Sequence, residues 1–248
     1  MPHVIAFFGT ISAGADNAPL NAIQGTAEYV QNNRHVLAQD QYVLWAYVQG
    51  ANLTRARIDA PSLRAFTPPR LPYFRRAGNP GTEPPINDFA HLGLILRGAE
   101  EIAVQTSNDL NTGTQNHHAV LCVGPTLSPP SRGPDFWVRA TGNTTLVPHQ
   151  WTNVPLTLES QLPAGNYRIV RFIARSASGI AARVITPGSI WRPGIICING
   201  EGQSPHRHFV DGRYGDYGTF STVALPSVEF LSYLADTAQE VYFGLVRA

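Results

Sequence analysis

Two imidazoles offer the most direct route to chemistry. The run GEGQSPHRH places His206 and His208 one residue apart behind Gly200 and a polar, glycine-rich lead. Neutral imidazole suits zinc, copper, iron and nickel, so a His-x-His pair can supply two ligands to a transition metal. A structural or catalytic site needs three or four protein ligands. Asp211 is the carboxylate close by; Gly212 and Arg213 stand next to it, and no histidine follows His208. The expectation is therefore no metal and a loop-surface pair, with His206 and His208 as the weak candidates if one binds.

The other candidate groups read the same way. His117 and His118 are adjacent, and neighbours on a strand point to opposite faces, so they do not converge on one ion. Glu100 and Glu101 are divided likewise, which argues against paired-carboxylate acid–base work. Cys122 and Cys197 lie inside the apolar runs AVLCVG and IICIN and read as buried free thiols. No nucleophile elbow, phosphate loop or dinucleotide fingerprint is present. Asn52 and Asn143 head glycosylation sequons, which matter in a eukaryotic secretory setting. Gly, five residues, then His-x-His resembles the opening of the first cupin motif. The later glutamate and the downstream histidine of that family are missing. The chain is expected to be no enzyme and to use no cofactor.

The elements that carry these residues point to β structure. The chain has 248 residues, 43% apolar and 14% charged, with Gly 22 and Pro 20 spread throughout. That is a globular composition with many turns and few charged surface helices. All 18 basic residues are arginine, and the net charge is +1. Arginine's planar fork serves packed contacts well, and so small a net charge argues against a strongly electrostatic partner. The first basic residue is Arg34, so there is no basic arm to condense nucleic acid. The N-terminal apolar run lacks the basic region of a signal peptide.

Two stretches look like copies. Tyr42–Pro61 and Tyr167–Pro187 each run from a tyrosine through an apolar strand, a small-residue turn and a second strand to Arg-x-x-x-Pro. Tyr42 and Tyr167 are 125 positions apart; Arg57 and Arg183, and Pro61 and Pro187, are 126 apart, which implies one inserted residue in the turn. An offset near half the chain implies duplication. The expected halves are residues 1–125 and 126–248, with a linker at about 124–134 (GPTLSPPSRGP at its core). Each half is expected to continue with a long loop (67–86, and the glycine-rich stretch after Ile198), a short helix and a closing strand. In the first half Asp88 caps a helix bearing Phe89, Leu92, Ile95 and Leu96. In the second, Pro226 and Ser227 open one bearing Val228, Leu231, Leu234 and Ala235. The closing strands are then Glu101–Thr106 and Glu240–Val246, leaving the strand at Cys122 without a counterpart. The fold class is all-β: two tandem jelly-roll β-sandwiches, each with one short helix.

With that order, the chain resembles the double jelly-roll major capsid proteins of tailless icosahedral viruses, the lineage of adenovirus hexon, the tectiviruses and the corticoviruses. The resemblance is architectural and transfers no site residue. It implies a structural protein: a homotrimer of pseudo-sixfold outline tiling an icosahedral virion, as in membrane-containing bacteriophages, made in the host cytoplasm. The implied partners are further copies of itself, penton or minor capsid proteins and an underlying membrane, with no sequence-specific nucleic-acid binding. A tandem β-sandwich that binds glycans, or a viral spike or fibre module, is the other reading of the same elements.

Overall fold

The computed structural model describes residues 1–65, 73–74, 86–110, 113–126, 133–198 and 216–248. The chain divides into two compact units, Ile5–Leu127 and Met1–Val4 with Ser128–Ala248.

In the first unit the strands are β1 (His3–Ile11), β2 (Ala18–Pro19), β3 (Asn21–Ile23), β4 (Tyr29–Gln31), β5 (Arg34–Val36), β6 (Gln41–Gly50) and β7 (Leu53–Asp59). The one-turn helix α1 (Pro61–Arg64) follows, then β8 (Tyr73–Phe74), β9 (Asn87–Asp88), β10 (Ile95–Leu96), β11 (Glu101–Asn108) and β12 (Gln115–Gly124). One sheet has the order β10-β6-β12-β1-β3, the other β4-β5-β11-β7-β8. Ile5, Phe7, Val48, Leu121 and Val123 from the first sheet meet Ile58, Ile102 and Val104 from the second in one core.

The second unit contains β13 (Phe136–Gly142), β14 (Trp151–Val154), β15 (Thr157–Leu158), β16 (Asn166–Ser176), β17 (Gly179–Ile185), β18 (Gly194–Ile196), β19 (Thr219–Ser221), β20 (Ser227–Ser232) and β21 (Gln239–Arg247). Its sheets run β15-β13-β21-β16-β19 and β14-β20-β17-β18. Strand for strand, β13-β21-β16-β19 repeats β1-β12-β6-β10, and β14-β20-β17-β18 repeats β5-β11-β7-β8. Eight antiparallel strands wound in this order over two sheets make a jelly roll. The fold is therefore all-β, with two jelly-roll sandwiches in tandem.

The repeat extends to defects in the ladders. Between β6 and β12, Val43 faces Val123, Leu44 is skipped, and Trp45 faces Cys122. Between β16 and β21, Ile169 faces Leu245, Val170 is skipped, and Arg171 faces Gly244. Likewise Thr54 is skipped in the β7–β11 ladder and Ile180 in the β17–β20 ladder. A bulge puts two residues opposite one and fixes local twist. Both pairs of skipped residues are 126 positions apart. That spacing holds through both strands and the turn, so the copies need no insertion. Arg57 and Arg183 are equivalent, each followed by its proline. Tyr42 and Tyr167 are not: the position equivalent to Tyr42 is Arg168.

Two expected helices are corrected. Val228–Ser232 is not helical: the segment is β20, paired with β17 and β14. All five of those residues are buried, so both faces of the strand are covered and the alternation that marks a strand is absent. Leu234, assigned to the helical face, is exposed. A short run of this kind fits helical spacing as readily as a doubly covered strand. At Phe89, the structure forms a single 3₁₀ turn, Ala90–Leu92. The Ala90 N–H donates to Asp88 Oδ1 at 3.0 Å, but the N-cap position is Phe89, whose side chain caps nothing, so Asp88 steadies the turn from one residue earlier. Gly93, at φ 59°, then ends the turn in the left-handed region.

With β20 restored, the closing strands realign. β11 corresponds to β20, and β12, which carries Cys122, corresponds to β21. The strand at Cys122 has its counterpart, and the match of Glu101–Thr106 with Glu240–Val246 was off by one strand.

Candidate functional site

His206 and His208, with Asp211, Gly212 and Arg213, lie outside the described residues, as do the linker's centre and most of loop 67–86. Among the described residues no three His, Cys, Asp or Glu side chains gather to hold a metal ion. His117 and His118 lie on opposite faces of β12. His117 Nδ1 is 3.0 Å from Thr106 Oγ1, whereas the His118 ring packs on Phe8 at 4.9 Å. Glu100 accepts from the Ser62 N–H and hydroxyl and the Arg97 N–H. Glu101 instead accepts from Asn32. The two carboxylates are tied to different elements and share no substrate position.

Cys122 and Cys197 are free and buried, and burial pushes both thiols well above their ordinary range. Thiolate is the reactive form. Neither cysteine is expected to react with a disulfide reagent in the native protein, and both should react after unfolding; a native reaction at either would contradict this packing.

The most constructed polar feature is an ion pair that composition hides. Arg183 on β17 faces Glu229 on β20 across the ladder, with Nε to Oε2 at 2.6 Å. Both side chains are almost wholly buried. The same guanidinium donates from Nη1 to the Val4 carbonyl at 2.9 Å and lies over the Trp151 ring at 4.0 Å. The Val4 N–H in turn donates to the Arg192 carbonyl, and the Arg192 N–H to His3 Nδ1. Residues 1–4 are thereby fixed within the second unit. The equivalent pair in the first roll, Arg57 and Gln105, is uncharged on one side and half-buried, with Nε to Oε1 at 2.7 Å. The sequence did flag Arg183. A signal for its partner was present too: Glu229 is a carboxylate inside the apolar run VEFL, and buried carboxylates require a partner.

At one end of each roll, short polar side chains tie the connections together. Asp16 accepts from Ser107 Oγ at 2.6 Å and from Arg55, and these two donors hold its carboxyl below the usual range. Asn108 donates to the carbonyls of Ile11, Ser12 and Gly113. In the second roll Asp236 accepts from Ser176 Oγ and from the N–H groups of Ala177 and Ala238. Burial works against its charge, yet the Ser176 hydroxyl and these N–H groups outweigh it and keep the carboxyl low. Asp236 thus organises backbone, whereas Asp16 is held chiefly by side chains.

The second roll also has a cleft of about 420 Å³, lined by Met1, Thr186, Ser189, Trp191, Asp216 and Thr219 among others. Asp216 is already held by Arg168 at 2.7 Å and by the Gly218 N–H. The cleft can present an indole, hydroxyls and an acceptor to a ligand, and Asp216 is the one acidic side chain among its described lining residues.

The chain is similar to solved capsid structures along nearly its full length. Against the major capsid protein P2 of bacteriophage PM2 the identity is 11% and the TM-score 0.29, covering 99% of this chain and 98% of that one. Against the STIV major capsid protein the identity is 8% and the TM-score 0.28, covering 98% and 97%. No protein-family model and no curated protein matches the sequence.

Proposed function

We propose that this chain is the major capsid subunit of a tailless icosahedral virus, a structural and not a catalytic protein. Three copies would form a trimer of pseudo-hexameric outline, and trimers would tile the shell. The observation that supports this most is the tandem itself: two jelly rolls in one chain, with the same strand order and the same ladder bulges. Three such chains carry six similar rolls, which is what a pseudo-sixfold tile needs. In this reading the rolls are residues 1–125 and 126–248, joined through about 124–134. The partners are other copies, penton or minor capsid proteins and an underlying membrane. The protein is made in the host cytoplasm and ends in the virion. The absence of Arg and Lys before Arg34 fits a shell that leaves the genome to other components.

The cleft beside Trp191 and Asp216 favours one other reading, a glycan-binding or spike module. Sedimentation and electron microscopy of the purified protein separate the two. The capsid reading expects a species of three 27.0 kDa chains and closed shells or sheets of such tiles. Monomers at all concentrations, with saturable sugar binding that Trp191→Ala abolishes, would overturn it.

A further inference from the structure

We propose that His117 is an acid-sensitive plug in the core of the first roll, and that its protonation opens the end where the loops after β1, β6 and β11 meet. The argument rests on where the ring sits. His117 is fully buried. It falls on the same face of β12 as Ala119, Leu121 and Val123, which belong to the core. It faces Gly50 across the ladder, and a Cβ at Gly50 would lie 2.3 Å from the imidazole Cδ2. The ring therefore fills the space that the glycine leaves. Its Nδ1 reaches Thr106 on β11, which belongs to the other sheet. One imidazole thus spans the sandwich.

Charge is absent from that interior face among the described residues. On β11, Thr106 and Asn108 alternate with Ser107, whose side chain turns outward to Asp16 and Arg55. Asp109, on the loop after β11, is exposed. His118 points to the opposite face of β12, against Phe8. From β6 and its turn come Gly50, Ala51 and Asn52, and from β7 Leu53, none of them ionisable. Of the other buried imidazoles of this roll, His35 on β5 bonds the Ala6 carbonyl and His118 packs on Phe8. Among the described residues no carboxylate is placed to receive an imidazolium. Burial accordingly lowers the His117 pKa, with the Ala51 backbone opposing it by less. The Thr106 hydroxyl can donate or accept, so that hydrogen bond survives protonation. The penalty lies in burying the charge.

The backbone around the ring is what would be released. The Asp109 N–H donates to Asn52 O, the Gly14 N–H to Asp109 O, and the Asn108 N–H to Ala15 O. Together they tie three connections at one end of the roll. The second roll lacks the device: its equivalent ladder pair is Gln239 and Ser176, and Gln239, equally buried, donates to Asp236 O. Glutamine is therefore a native solution at this position and does not titrate.

The sign follows from linkage. An unfolded or opened chain binds a proton near pH 6.5, whereas the closed core resists it. Stability is complete above about pH 6.5 and is lost as pH falls below it. Amide hydrogen exchange of the intact chain and of His117→Gln, between pH 7.5 and 5.5, tests this. In the wild type, the open population read at Gly14, Asn108 and Asp109 should rise by up to about tenfold per pH unit below 6.5. In His117→Gln the part of that rise due to His117 should be absent, so the variant's acid dependence should be clearly the smaller of the two. Equal acid dependence in both proteins would overturn the proposal. So would a His117 ring that titrates, by NMR of the folded wild type, at or above the ordinary histidine value; that measurement also decides the matter if the variant fails to fold.

Discussion

Replacing Glu229 with alanine is expected to destabilise the second roll by about 3–5 kcal/mol in denaturant unfolding. The estimate follows from what remains behind. Arg183 is fully buried, and removing Glu229 leaves its guanidinium without the opposing carboxylate. The Val4 carbonyl and the Trp151 face would still contact it, but neither carries the compensating charge. Converting both residues to apolar ones of similar size, Arg183→Met with Glu229→Leu, removes the stranded ion and should come back to within about 1–2 kcal/mol of the wild type. The pair would then be a device for register more than for stability, since it fixes which residue of β17 faces which of β20. Gln105→Ala, at the equivalent ladder position of the first roll, should cost less, about 1–2 kcal/mol: it removes the bonds to Arg57 and to Asp59, but Asp59 keeps Arg64 and water can reach the half-buried Arg57. A loss below 1 kcal/mol for Glu229→Ala, or a double variant as damaged as the single one, would sink this account.

The central hairpins of both rolls were legible because their strands are long apolar runs with a two-residue turn between them. β6, β7, β16 and β17 were all placed from that pattern. The exact correspondence was not legible. Tyrosine matched tyrosine at 42 and 167 by type, while the ladders align Tyr42 with Arg168. Side-chain identity is a weak guide to register; backbone pairing decides it. β20 was misread for a related reason. Cover both faces of a strand and its period of two disappears, and Val228, Leu231 and Leu234 then fit a helix equally well. That one error also produced the unmatched strand at Cys122.

Little of the candidate site was legible in the sequence. The glutamates at 100 and 101, read as neighbours facing apart, do serve different elements. What holds the loop ends together was missed. Asp16, Asn108 and Asp236 are turn residues of ordinary type, and turns favour them for local reasons. Their partners here are mostly tertiary: Asp236 meets Ser176, 60 positions away, and Asn108 meets Ile11, 97 positions away. Nothing within a window of a few residues encodes such contacts.

The same ladder can support different cores, and this sets the second large effect. Phe172 on β16 faces Phe243 on β21, with ring centroids 5.6 Å apart and planes nearly parallel at 14°. Tyr217 packs on Phe172 at 5.6 Å. Both phenylalanines are fully buried. The equivalent pair in the first roll is Ala46 and Leu121, also in the core but far smaller. Equivalent backbone positions therefore do not imply equal volume between the sheets. Phe243→Ala should cost about 3–5 kcal/mol, as the transfer loss of a buried ring adds to the cavity it leaves. Phe243→Leu, which installs what the first roll uses, should cost less than half as much if the sheets of the second roll can close onto it. If the two rolls had relaxed to the same spacing, leucine would be nearly neutral. If the second roll is held open by Phe172 and Tyr217, leucine will approach alanine in cost. Unfolding of the two variants side by side measures how far the second sandwich can collapse, and a loss under 1 kcal/mol for Phe243→Ala would contradict the packing described.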